Sequence, residues 1–298
     1  MSDSGAAVTH APRAVQAPRA PRAPKGGHAR ARDTANAYAR GLAGGLLVGT
    51  PVLMTMEVWW GGFTIPALRL LVLVVVNFGV LLVLQHYSGL HPNKTRWGQV
   101  RAALVAYGLG LVVAGLMLAA LWLLHDTTLR DAVGKLVLEA VPVSIGSSVA
   151  MSEFEADNPA GERRRDEDGL LGALGMALAG SMLFGFSIAA TEEPVILGMQ
   201  IPPGYAIVLV ILSVLQVHGI VYAVQFQERT ERQPTRRWWR LVLREGVATY
   251  MVALLVAAYV LWTFGRIGVA SGPVASLEMV VVLGLVTSLG AAAAELLI

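Results

Sequence analysis

Long apolar runs alternate with short polar breaks from residue 41 to the end of the chain. Eight such runs can be marked: 41–60, 67–86, 100–124, 132–151, 170–198, 204–226, 241–263 and 274–297. Each is close to the ~20 apolar residues that span a bilayer core as helix. The pattern therefore predicts an all-α polytopic membrane protein of about eight transmembrane helices. The fourth run is the most interrupted, carrying Lys135, Glu139 and Pro142. Residues 1–38 show no such pattern.

The runs repeat. A shift of 136 places Gly44 on Gly180, Gly49 on Gly185, Thr55 on Thr191, Glu57 on Glu193, Gly62 on Gly198 and Pro66 on Pro202. A shift of 144 places Ala140 on Gly284, Ser144 on Ser288, Gly146 on Gly290 and Ser148 on Ala292. The organisation expected is a first four-helix repeat at 39–151, a cytoplasmic linker at 152–168 and a second four-helix repeat at 169–298. An even number of helices per repeat makes the two copies run in the same direction, which sets a pseudo-two-fold axis along the membrane normal.

Small residues recur every four positions: Gly41, Gly45, Gly49 and Leu53 lead to Glu57, and Ala177, Ser181, Gly185 and Ala189 lead to Glu193. That spacing keeps them near one helix face. In lipid, small residues let helix backbones approach closely where apolar burial no longer drives association. The fourth and eighth runs carry stripes of their own. The expectation is one close-packed centre made by helices one, four, five and eight, with the glutamates on its tight face.

Composition supports the class. The chain is 55% hydrophobic and 14% charged, against about 25% charged for soluble domains, and its mean hydropathy is +0.60. No cysteine is present, which excludes thiol chemistry and disulfides. Charge sets the orientation. Lys94, Arg96 and Arg101, then Arg163 to Arg165, then Arg229, Arg232, Arg236, Arg237 and Arg240 fall on one side of an eight-span scheme with the N-terminal tail. Cytoplasmic loops concentrate Lys and Arg, so both termini are expected in the cytoplasm and the protein in the inner membrane. The tail, residues 1–38, is an Ala-Pro-basic tract without an apolar signal-peptide core, expected to be disordered and to lie near anionic lipid headgroups. The net charge of +3 fits lipid contact and not a nucleic-acid platform.

Candidate chemistry rests on acids in apolar sequence, where an ionisable group is costly and suggests function. Glu57, Glu192 and Glu193, with Thr55 and Thr191, form the expected ion or proton site. Arg69 is the expected partner of Glu57. Its counterpart is Tyr205, so the second copy gains an acid, Glu192, without an evident neutralising arginine. Asn77, Ser213, Gln216 and His218 are secondary polar groups, expected to hydrogen-bond between helices. Glu139 and Glu278 lie toward outer ends, where they would snorkel or line a vestibule.

Catalytic motifs are missing: no His-Glu-x-x-His, Walker lysine loop or Gly-x-Ser-x-Gly elbow occurs. No enzyme activity, cofactor or nucleic-acid partner is expected; metal binding and oligomeric state stay open. The leading function is a cation or proton channel or transporter with a carboxylate site between the repeats. A structural or sensory membrane protein without flux is the alternative, and an intramembrane enzyme ranks last. Finally, the stretches Pro51-Val52-Leu53-Met54-Thr55-Met56-Glu57-Val58-Trp59-Trp60 and Ala190-Thr191-Glu192-Glu193-Pro194-Val195-Ile196-Leu197 resemble the signature segments of a bacterial family of integral membrane proteins of unknown function. The resemblance covers about residues 38–298. It implies multi-pass topology and no particular activity.

Overall fold

The computed structural model describes residues 27–87, 95–153, 170–228 and 238–296. Within them the chain is helical: α1 (Gly27–Leu53), α2 (Met56–Thr64), α3 (Ala67–Tyr87), α4 (Arg96–Ala120), α5 (Leu129–Glu153), α6 (Leu170–Ala189), α7 (Glu193–Gln200), α8 (Pro203–Glu228), α9 (Trp238–Thr263) and α10 (Pro273–Leu296). Six of these are long and apolar enough to cross a membrane: α3, α4, α5, α6, α9 and α10. The bent pair α1–α2 makes a seventh if counted as one span. The apolar section of α8, Gly204–Ile220, is shorter. Eight full spans are therefore not reached among the described residues.

Two of the expected runs are broken where hydropathy alone reads straight through. The run 41–60 breaks after Leu53, with Pro51 in the last turn of α1 and Thr55 extended at φ −85°, ψ 101°. The chain turns by 79° into α2. The run 170–198 breaks after Ala189, and α7 starts with Pro194 in its first turn. Proline has no N–H to continue the ladder of α6, yet it suits the opening of a new helix. The two short helices also end alike. Ile65 and Ile201 are both extended and donate their N–H to Gly61 O and Leu197 O. Pro66 and Pro202 follow, and a residue before proline is pushed out of helical geometry.

Two other expectations change. Helix α1 begins at Gly27, inside the stretch assigned to the tail, because Ala and Arg beyond Pro24 are good helix formers. Residues 1–26 of that tail, and 154–168 of the linker, lie outside the described residues. The fourth run is one unbroken helix in spite of Pro142, and it is the most enclosed of the spans. Neighbouring helices commonly re-satisfy the backbone groups that a membrane proline frees.

The small-residue stripes are buried, as their spacing requires. They close two separate helix pairs, α1 on α5 and α6 on α10, instead of one four-helix centre. A Cβ on Gly44 would meet Ala150 Cβ and Gly146 O; one on Gly180 would meet Gly290 O and Ala294 Cβ. Gly49 faces Val143 and Gly185 faces Thr287; Gly62 faces Lys135 and Gly198 faces Met279. Each second contact sits 136 and 144 positions beyond the first. The two sets of helices meet through α3 and α5 on one side and α6 and α9 on the other. Gly175 lies against Val83 and Tyr87 there, within a core that includes Leu73, Leu81, Leu84, Met176, Met182, Phe186 and Leu261.

Candidate functional site

Helix α5 carries a line of buried polar side chains: Lys135, Glu139, Ser144, Ser147 and Ser148. Helix α3 supplies partners to its C-terminal half. Asn77 Nδ2 donates to Ser144 Oγ and Gln85 Nε2 donates to Ser148 Oγ, each at 3.0 Å. Ser144 in turn donates to Val141 O at 2.9 Å. These groups are largely matched, although Ser147 Oγ, Asn77 Oδ1 and Gln85 Oε1 have no hydrogen-bond partner.

Lys135 is 2% exposed. Its ammonium donates to Leu123 O at 2.6 Å and lies 4.5 Å from the ring centre of Phe63 and 5.8 Å from that of Trp59. The α1–α2 bend brings those two rings over α5, so the break in the first run builds a cage for this cation. Aromatic faces hold desolvated cations well.

Glu139, one turn along α5 from Lys135, has 0% exposure, and neither carboxyl oxygen has a hydrogen-bond partner. Its Oε1 would lie 3.5 Å from a Cβ on Gly49, next to Met117 Sδ and Val143. Glycine at 49 leaves room for Val143, whose Cγ2 would lie 2.5 Å from a Cβ there, and so lets α1 close over α5 beside the carboxyl. No ion pair joins Lys135 to Glu139 among the described residues. At the corresponding positions of α10 stand Met279 and Leu283, both buried. These two ionisable side chains on α5 thus have no ionisable equivalent at those positions of α10.

The acids expected on the tight face lie elsewhere. Glu192 and Glu193 are exposed and Glu57 is partly exposed, all three at the breaks where α2 and α7 begin. The four-residue spacing that buries Gly49 and Gly185 stops carrying the same face forward once the helix breaks. Thr55 and Thr191 sit in those breaks and donate back to Pro51 O and Ile188 O. The Thr191 hydroxyl, with the Glu193 backbone N–H and Arg266, holds the Glu193 carboxyl below the usual carboxylate range.

Both arginines at this end differ from expectation. Arg69 does not pair with Glu57: it donates to Trp262 O at 2.8 Å and lies 5.0 Å over the Trp262 ring. Arg266, in the turn after α9, is the cation that Glu192 lacked, at 2.5 Å from Oε1, and it also donates to Ala190 O. The Glu192 side chain is 58% exposed, so its ion pair contributes about 0–1 kcal/mol. The carbonyl of buried Ala190 needs the guanidinium more, at about 1–3 kcal/mol for a stranded polar group. Glu192→Gln is therefore expected to leave the melting temperature nearly unchanged and Arg266→Ala to lower it clearly, as thermal unfolding in detergent would read.

Other secondary groups are structural in their contacts. Gln216 Nε2 donates to Leu285 O at 3.2 Å and Ser288 Oγ at 3.4 Å, joining α8 to α10. Ser213 donates to Leu209 O at 2.8 Å and His218 Nδ1 contacts Val214 O at 2.7 Å. Glu278 is partly exposed near the start of α10. The described residues hold no group of three or more His, Asp or Glu that could take a metal ion. Sequence reasoning missed Gln85 and Arg266, and it expected Glu139 to snorkel or line a vestibule where the structure encloses it fully between α5 and its neighbours; the one available signal was that Lys135 and Glu139 face Met279 and Leu283 under the shift of 144.

Neither the curated proteins nor the solved structures give a match to this chain. The family model described as "Putative integral membrane protein (DUF2391)" matches residues 37–298, the same range over which the apolar runs, the paired breaks and the enclosed α5 occur, and the chain belongs to this family of multi-pass integral membrane proteins.

Proposed function

We propose that the protein is a pathway for a proton or cation across the bilayer, with the Glu139 carboxyl as the group the ion visits. The observation that carries this reading is the burial of that carboxyl without a hydrogen-bond partner at the α1–α5 contact. A carboxylate in lipid needs a proton or a counter-charge, so the site is suited to taking up and releasing one. The polar line from Lys135 to Ser148 supports a path. At ~1.5 Å rise per residue it runs about 20 Å along α5, most of the ~30 Å hydrocarbon thickness. On this reading Glu57, Glu192 and Glu193, with Thr55 and Thr191, draw cations to the outer end. No catalysis is part of it.

The proposed architecture is two parallel four-helix repeats with both termini in the cytoplasm of a cell with an inner membrane. Matched contacts of Gly44 with Gly146 and Gly180 with Gly290 support the repeat. Reporter fusions at Arg164 and Arg236 should read cytoplasmic and one at Asp126 external; a periplasmic signal at Arg236 contradicts the topology.

The closed hydrogen bonds of Asn77 with Ser144 and Gln85 with Ser148 favour a second reading, a packed structural or sensory protein without flux. Ion flux in liposomes holding the purified protein separates the two. Movement of H⁺, Na⁺, K⁺, Mg²⁺ or Ca²⁺ above that of empty vesicles supports the pathway. Tight vesicles toward all five overturn it.

A further inference from the structure

Resting on the reading of Glu139 as the ion-visited group, we propose that the ion is a proton and that Lys135, caged by Leu123 O, Phe63 and Trp59, is the tethered cation that replaces it when Glu139 ionises. For the first part, the ligand count argues against a divalent ion, and the liposome test below separates the proton from Na⁺ and K⁺. Hard divalent cations take about six to eight oxygen ligands, or keep their waters in an octahedral shell. Glu139 offers one carboxyl, and its neighbours at Gly49 are Val143 and the Met117 thioether. Among the described residues no cluster of His, Asp or Glu adds to it. A proton needs only the carboxyl itself.

The second part follows from position. Residues four apart on a helix are neighbours, so the Lys135 ammonium can reach Glu139 by rotating its own side chain. In the structure it is turned the other way, onto Leu123 O and the two aromatic rings. That arrangement suits a neutral Glu139. When the carboxyl releases its proton, the anion in a low-dielectric surrounding draws the ammonium more strongly than a carbonyl and ring faces do. The step is an acid dissociation: the O–H bond of Glu139 breaks, its electron pair stays on the carboxylate, the proton passes to a water molecule on the path, and Lys135 keeps all three of its own. Its departure frees Trp59 and Phe63 on α2, which couples protonation of Glu139 to the packing of the short helix.

Other charged or titratable groups on the elements around the pair include Glu57 on α2, Tyr107 on α4, His125 and Asp126 in the α4–α5 turn, and Arg130 and Asp131 on α5; α1, α3 and α4 also carry Arg40, Arg69, His86, Arg96 and Arg101. Arg130 is bonded to Phe63 O, Ile65 O and Asp131, and Asp131 also to Thr128. His125 pairs with Asp126. None is hydrogen-bonded to Lys135 or Glu139, but the Asp131 carboxylate, one turn before Lys135 on α5, attracts its ammonium. In α10 the corresponding Met279 and Leu283 carry no charge, so no second such pair occurs there among the described residues.

The test combines flux with a local probe. Protein labelled with 5-fluorotryptophan gives ¹⁹F resonances from its seven tryptophans, and Trp59→Phe identifies the one from Trp59. The expected result is a Trp59 resonance that shifts between acid and alkaline buffer in the unsubstituted protein. The shift is lost in both Glu139→Gln and Lys135→Met. In liposomes, proton flux should persist when Na⁺ and K⁺ are replaced by choline. Flux that stops in Glu139→Gln yet requires Na⁺, K⁺ or a divalent ion overturns the proton assignment while leaving Glu139 as the ion site. A Trp59 shift that survives Lys135→Met overturns the tethered-cation role. Absence of flux for every ion overturns the pathway reading itself, and the inference with it. Lys135→Met copies Met279; were it to misfold, Lys135→Gln is read by the same criteria.

Discussion

Glu139→Leu is expected to melt at a higher temperature than the unsubstituted protein and to conduct nothing. The carboxyl is fully buried and both oxygens lack hydrogen-bond partners. A buried polar group left unpaired costs about 1–3 kcal/mol, and replacing it with an apolar side chain of similar size is neutral or stabilising. Leucine is the residue at the corresponding position of α10, where Leu283 is fully buried. The expected gain is therefore about 1–3 kcal/mol, the removed penalty. Glu139→Gln should give no such gain, because its amide stays polar and unpaired while the proton site is lost. Thermal unfolding in detergent distinguishes the three proteins. A Glu139→Leu variant that melts well below the unsubstituted protein would mean that the carboxyl is held by favourable interactions, and the account of an unpaired group would be wrong.

Gly180→Val is expected to cause the largest loss of stability of any single substitution considered. A Cβ at Gly180 meets the Gly290 carbonyl oxygen and carbon and the Ala294 methyl. The obstacle is backbone, which cannot swing aside as a side chain tip can, so α6 and α10 must separate along their whole contact. Overpacking a close contact costs about 1–3 kcal/mol and occasionally more, and this contact places it at the upper end or beyond. Gly44→Val, against Gly146 O and Ala150 Cβ, should behave alike. Gly79 and Gly108 have nothing within 4 Å of a built Cβ. There alanine should raise stability by about 0.5–1 kcal/mol through helix propensity. Melting temperatures of Gly180→Val and Gly79→Ala measured side by side should move in opposite directions. Equal shifts would remove the argument that the small-residue stripes hold the helix pairs together.

Much of this was legible in the chain itself. Apolar run length located the helices, and the four-residue stripes through Gly41, Gly45 and Gly49, and through Ala177, Ser181 and Gly185, named the faces that are buried. Asn77 and Gln216 make the interhelical hydrogen bonds that their type and position suggested. The breaks at Thr55 and after Ala189 were hidden because hydropathy stays high across a bend; Pro51 and Pro194 were the only local signs. Placing the acids on the tight face failed for the same reason, since periodicity carries a face forward only while the helix continues. The partners of Arg69 and Glu192 lie 193 and 74 positions away in sequence, beyond what local pattern reaches. Glu139 was visible as an acid within a span. Its enclosure depends on α1, α2 and α4 all packing on α5, which no single run encodes.

The most direct test of the account is ion flux in liposomes for Glu139→Gln and Glu193→Gln measured together against the unsubstituted protein. On the proposed reading, the buried carboxyl on α5 is the one the ion visits, and the exposed one at the α6–α7 break only gathers ions. Loss of flux in Glu139→Gln with conduction retained in Glu193→Gln is the predicted result. Conduction retained in Glu139→Gln and lost in Glu193→Gln would contradict it.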